Sequence, residues 1–175
     1  MKPFGPLAKA VALVGIIVGL GAMPSFAGDA ENQLLDEFIG EWRGNGQLTG
    51  ARTDPVTCRL TMTGANQAKV NYVGRCSFAG AQLGVRGTVG FIDANNRYEA
   101  SMTATPGSYK GRAVGRKVGN SIVFDLKDRN VDNGSAYDIA SSMILKDGKI
   151  NVSFKVTFAD SGESISAQIP FERKS

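Results

Sequence analysis

The chain has 175 residues, with 20 basic against 16 acidic side chains, two cysteines and no histidine. The missing histidine excludes Ser-His and Cys-His nucleophilic machinery and histidine proton shuttles, and it removes most zinc sites. Without Lys2 and Lys9, which belong to the leading segment, 18 basic residues face 16 acidic ones, and a net charge this small is no footprint for nucleic acid.

Residues 1–27 read as a secretory signal. Lys2 and Lys9 precede an apolar run from Ala10 to Met23, and Ser25-Phe26-Ala27 puts small residues where a signal peptidase reads them. The run is short for a bilayer span and no cysteine follows the cleavage point to take a lipid, so a retained anchor is the lesser reading. Cleavage after Ala27 leaves residues 28–175 as one domain with room for a core, in a periplasmic or secreted location.

The next segment, DAENQLLDEFI, is the one helix predicted, with Asp29 as cap and Leu34, Leu35, Phe38 and Ile39 at helical spacing. From Glu41 onward the pattern changes to strict alternation. A first strand, Glu41 to Leu48, carries the only tryptophan in GEWRGNG. VTCRLTMTG and KVNYVGRCS flank ANQ, a hairpin in which Met62 meets Tyr72, Leu60 meets Gly74 and Cys58 meets Cys76. This register puts the two cysteines opposite each other on the apolar face, and an oxidising compartment favours a disulfide over two buried thiols.

The same arithmetic continues. Phe91 is matched with Tyr98, Val89 with Ala100, Gly87 with Met102, Met102 with Gly111, Gly115 with Phe124, and Ala113 with Leu126. After a longer polar loop, DRNVDNG, Leu145 faces Ile150 across Asp147-Gly148 and Tyr137 faces Phe158. A last turn at DSGE matches Phe158, Phe154 and Val152 with Ile165, Ile169 and Phe171. The prediction is about ten antiparallel strands in sequential order, an all-β up-and-down barrel with its apolar face inward. The opposite face carries residues such as Arg59, Arg75, Arg86, Lys110, Asp125 and Lys155, which excludes a lipid-facing outer-membrane barrel.

A short helix, a Gly-x-Trp first strand and a meander together resemble the calycin superfamily of lipocalins, fatty-acid-binding proteins and nitrobindin-like barrels. IGEWRGNGQL is most similar to the ten-stranded, nitrobindin-like branch. The resemblance implies that Trp42 closes one barrel end beneath an arginine of the last strand, the place of Arg173. Gly40, Gly44 and Gly46 then allow the bend and close approach beside the ring. Nitrobindin-like barrels hold haem through a histidine, which this chain lacks, so no cofactor is expected. Tyr72, Met102, Tyr109, Tyr137 and Met143 share the inward phase, and haem ligation by Tyr or Met is a weaker reading than ordinary lining.

Two further signals were weighed. Asp128, Asn130 and Asp132 alternate as in a calcium loop, but Asn133 stands at the tight-turn glycine and Ile139 at the bidentate glutamate, so no metal is expected. Lys110, Arg112 and Arg116, with Lys117 nearby, form an outward stripe of the kind that attracts an acidic partner or anionic lipid headgroups, but with so small a net charge it reads rather as a solvated face. Inside, large residues on the later strands oppose Gly87, Ala100, Ala104, Gly111, Ala113 and Gly115, which predicts an off-centre apolar cavity. Its expected contacts are Tyr72, Met102, Tyr109, Phe124, Tyr137 and Phe154, with Ser141 among the polar ones, and its ligand a lipid, isoprenoid or other small hydrophobe. The sequence thus reads as an exported carrier, monomeric or weakly dimeric, and not an enzyme. The alternative is an envelope interaction protein with a filled barrel.

Overall fold

The computed structural model describes residues 28–174 except 79, 107, 108 and 133; the secretory segment expected over 1–27 lies outside the described residues. One helix, α1 (Asp29–Asp36), precedes ten strands: β1 (Gly40–Thr49), β2 (Thr53–Ala65), β3 (Lys69–Phe78), β4 (Ala81–Ile92), β5 (Arg97–Thr105), β6 (Tyr109–Val118), β7 (Ser121–Asp132), β8 (Ser135–Lys146), β9 (Lys149–Phe158) and β10 (Ser164–Arg173). Each strand pairs antiparallel with its neighbours in sequence, and β1 pairs with β10 to close the barrel. Closure leaves no free outer edge on either terminal strand, the edge that in an open sheet recruits other chains.

Alternation explains the two faces. On β2, Val56, Cys58, Leu60 and Met62 are buried while the residues between them are exposed. Cys58 sits opposite Cys76 and is joined to it in a disulfide. Met62 meets Tyr72, Phe91 meets Tyr98, Met102 meets Gly111, and Leu145 meets Ile150, the pairings the alternation predicts.

Four local expectations need correction. Asp29 is not the cap: Gly28 holds the N-cap position without a side-chain bond, and the helix ends at Asp36. Phe38 and Ile39 follow in a tighter turn, their N–H groups bonded to the carbonyls of Leu35 and Asp36. DRNVDNG is mostly strand, since β7 runs to Asp132 and Asp128 pairs with Ile139 and Asn130 with Tyr137. That end is wet on both sides, so the apolar alternation that marks a strand fades there.

The β9–β10 register is displaced by two residues. Ile165 lies opposite Val156, Ile169 opposite Val152 and Phe171 opposite Ile150. Gly162, at φ +71°, donates its N–H to Phe158 O, and Phe158 N–H donates to Glu163 O, so the turn spans residues 159–162, one residue earlier than DSGE. A slip of two preserves the face, so the same side chains remain inside. Lastly, β6 and β7 pair only from Val114–Val118 to Ser121–Asp125. Ala113 and Leu126 are not a ladder pair. Continued in register, Arg112 would face Lys127 and Lys110 would face Arg129, two like-charge pairs in one short stretch, which weighs against a ladder; single like pairs such as Arg59–Arg75 and Lys146–Lys149 are borne within complete ladders.

Candidate functional site

The barrel has two unlike poles. At the first, Leu35 and Phe38 from α1 and its following turn cover Trp42, Met62, Val70, Val89, Tyr98, Ile122, Leu145 and Ile150, all essentially inaccessible to solvent. Three consecutive carbonyls beyond the helix are satisfied there by two side chains. Trp42 Nε1 donates to Phe38 O at 3.0 Å, while Arg173 donates from Nη1 to Ile39 O at 2.7 Å and from Nη2 to Glu37 O. The Arg173 guanidinium carbon lies 4.5 Å from the centre of the indole ring, a cation–π contact. The last turn of α1 has no basic residue, so β10 supplies the positive charge that a helix C-terminus favours. Gly40, at φ +143°, leaves room for this: a Cβ there would lie against Arg173 Nη1.

The second pole has no helix over it. Leu48, Val56, Leu126 and Ala167 are buried in that half, yet Phe78, Met102, Tyr137, Ile139, Phe154 and Val156 retain part of their surface although their phase points inward. Phe158, also in the inward phase, is 37% exposed at the rim. The result is an apolar funnel, filled toward Trp42 and wet toward the far rim.

The wall of small residues does not leave the space expected of it. Each inward glycine is covered by a neighbour's ring or branch: Tyr72 lies over Gly87, Tyr109 and Leu126 over Gly111, and Phe124 over Gly115. Of the six expected contacts, Phe124 therefore sits in the filled half, buried against Tyr98 in an edge-to-face pair 6.2 Å apart. Met102, Tyr137 and Phe154 face the funnel. Tyr72 stands between the halves, its hydroxyl donating to Ser101 O at 3.0 Å. Tyr109 is buried beside the unpaired stretch of β6 and donates to Asp128 Oδ2 at 2.9 Å.

Most polar groups inside are engaged. Asn130 Nδ2 donates to Tyr137 Oη at 2.8 Å, and Ser141 Oγ donates to Ser153 O at 3.1 Å. Burial pushes the Tyr72 and Tyr98 phenols up to about 12, with Glu31 adding to the second. Burial and then the Asp128 hydrogen bond raise Tyr109 as well. All three remain neutral donors at any ordinary pH. No group of three or more acidic or cysteine side chains suited to a metal occurs among the described residues, and no helix among them is long and apolar enough to cross a membrane.

The outer surface has concavities that sequence reasoning missed. One, of about 1050 Å³, is floored by Ser142, Ser153 and Ser166 and edged by Asp125, Lys127, Lys155 and Gln168. A second, of about 740 Å³, crosses β3 to β6 with Arg86, Lys110 and Arg112 at its margin. Both come from sheet curvature, which alternation alone does not encode.

No protein-family model and no curated protein sequence matches the chain. Among solved structures, the barrel is similar to Rv2717c from M. tuberculosis, with a TM-score of 0.60 and 13% identity over 82% of this chain and 96% of that one. It is also similar to the S-type phycobiliprotein lyase CPES from Guillardia theta, with a TM-score of 0.52 and 8% identity over 83% of this chain and 92% of that one. At such identities the likeness concerns the fold: a closed ten-strand antiparallel barrel.

Proposed function

We propose that this protein is an exported carrier of a small hydrophobic molecule, held in the open half of a calycin-like barrel. The observation that carries the proposal is the funnel: inward-facing Met102, Ile139, Phe154 and Val156 stay partly exposed where a filled core would bury them. Apolar surface left wet forgoes about 25 cal/mol per Å², and an apolar occupant recovers that energy. The inward polar groups bond to one another and offer a ligand little beyond burial, which favours a lipid or isoprenoid body over a polar metabolite.

The calycin placement is supported by the sequential ten-strand closure, the Trp42–Arg173 pole and the two barrels of similar fold. Export is supported by the leader pattern of residues 1–27 and by the disulfide, since such bonds persist in oxidising compartments. We read the inward face as that of a carrier rather than an enzyme, with the buried Tyr72, Tyr98 and Tyr109 hydroxyls serving as donors to partners within the fold.

The filled-barrel reading draws its support from the covered glycines, which make the middle of the barrel solid. Titration with a neutral hydrophobic dye separates the two. The carrier binds the dye at one site, and Val156→Trp, which fills the funnel, abolishes binding while the unfolding midpoint holds. A protein that leaves the dye unaffected is the filled barrel, and the carrier reading fails.

A further inference from the structure

The incomplete seam between β6 and β7 lies beside the same funnel. Pairing stops at Val114 and Asp125, so four cations flank the unpaired stretch on the outside: Lys110 and Arg112 from β6, Lys127 and Arg129 from β7. The acidic groups around them are largely occupied. Arg116 holds Asp125 at 2.6 Å, Arg97 holds Glu99 at 2.7 Å and Asp138 lies 3.9 Å from Arg129, while Asp128 accepts only the Tyr109 hydroxyl and the Arg129 N–H. Lys110, Arg112 and Lys127 form no ion pair among the described residues.

The floor of the seam has a different character. Tyr109 and Leu126, both buried, meet over Gly111, where a Cβ would come within 2.9 Å of Leu126 Cδ1 and of the Tyr109 ring. Behind them, Met102 is the ladder partner of Gly111, and Phe154 lies one strand beyond Ser141, the partner of Leu126. A positively charged margin thus lies over two buried side chains with apolar surface behind them.

We propose that the β6–β7 seam is the uptake and headgroup site for a monoanionic amphiphile: the chain passes between Tyr109 and Leu126, and the anion stays outside between Arg112 and Lys127. The cations that flank the unpaired stretch select the charge of what enters. This inference rests on the carrier reading and names its ligand class.

The experiment measures displacement of a neutral hydrophobic dye from the purified protein by dodecanoate, dodecanol and dodecylamine. Amide exchange at Gly111 and Ala113 is followed in parallel. Dodecanoate is expected to displace the dye about tenfold more effectively than dodecanol, the sum of two or three exposed ion pairs. Arg112→Glu with Lys127→Glu keeps like charges opposed and the seam unzipped but reverses its sign, so dodecylamine becomes the preferred ligand. Lys127→Glu alone sets opposite charges face to face; exchange at Gly111 and Ala113 then slows and dodecanoate uptake falls about tenfold in rate.

Equal displacement by dodecanoate and dodecanol, or unchanged exchange and uptake in Lys127→Glu, overturns the seam's role and leaves the carrier reading standing. Binding of no amphiphile and no dye overturns both. Association only with vesicles containing phosphatidylglycerol, without uptake of free dodecanoate, assigns the cations to a membrane surface and overturns the proposal.

Discussion

Replacing Arg173 by methionine removes the guanidinium while keeping an unbranched stem over the indole. In the native barrel its two nitrogens take the carbonyls of Glu37 and Ile39, and its cationic centre stands over the ring of Trp42. The side chain is exposed, so the two hydrogen bonds stabilise by about 1 kcal/mol each and the stacked cation by about 0.5–1 kcal/mol. Water rehydrates part of what is freed, which leaves an expected loss of about 2–3 kcal/mol. Urea unfolding followed by the emission of Trp42, the only tryptophan, reports both the loss and its location. Arg173→Lys keeps the charge but not the fork, and should recover about a third. A double-mutant cycle with Trp42→Phe should show coupling above about 0.5 kcal/mol. A loss below about 0.5 kcal/mol for Arg173→Met, with native emission unchanged, would refute the claim that this pair fastens the helix to the barrel.

Three other outcomes follow from the packing. Gly87→Ala should destabilise far more than Gly90→Ala, because the new Cβ meets the Ser101 carbonyl in one case and the flexible Lys69 stem in the other. Gly115→Ala, pressed onto the Phe124 ring, should fall between, at about 1–3 kcal/mol; thermal melts of the three rank them. Tyr72 and Tyr98 are neutral when folded, with values near 12 against an ordinary 10. Their raised values stabilise the fold fully below pH 10, and that contribution is lost as pH climbs from 10 through 12. Tyrosinate absorbance should therefore rise together with unfolding, and a separate early step for these residues in the intact barrel would contradict their burial. Cys58→Ala with Cys76→Ala opens a loop whose ends are 18 residues apart, and should cost about 3 kcal/mol by denaturant titration. Reductant should then have no further effect.

The alternation of large and polar residues made most of the barrel legible. Cys58 opposite Cys76, Met62 opposite Tyr72 and Leu145 opposite Ile150 follow from period two plus a recognisable turn. The β9–β10 register did not, because the turn ending at left-handed Gly162 sits one residue earlier than DSGE, a shift that residue type leaves open. The break at Ala113 and Leu126 is hidden for another reason: the inward alternation carries no information about outward Arg112 and Lys127, which a continued ladder would set face to face. Small residues on one strand do not by themselves mean space: whether a neighbouring ring lies over them depends on barrel stagger and rotamer. Phe124 over Gly115 and Tyr72 over Gly87 are settled only in three dimensions.

Because β1 and β10 are neighbours running in opposite directions, Gly40 and Arg173 emerge side by side at the Trp42 pole, where Lys174 N–H bonds to Glu41 O at 2.8 Å. The order of the strands is therefore cyclic. A tether carrying the end of β10 back to the start of α1, with a new opening cut at the Gly148 turn, would preserve every ladder while changing the order in which the hairpins are synthesised.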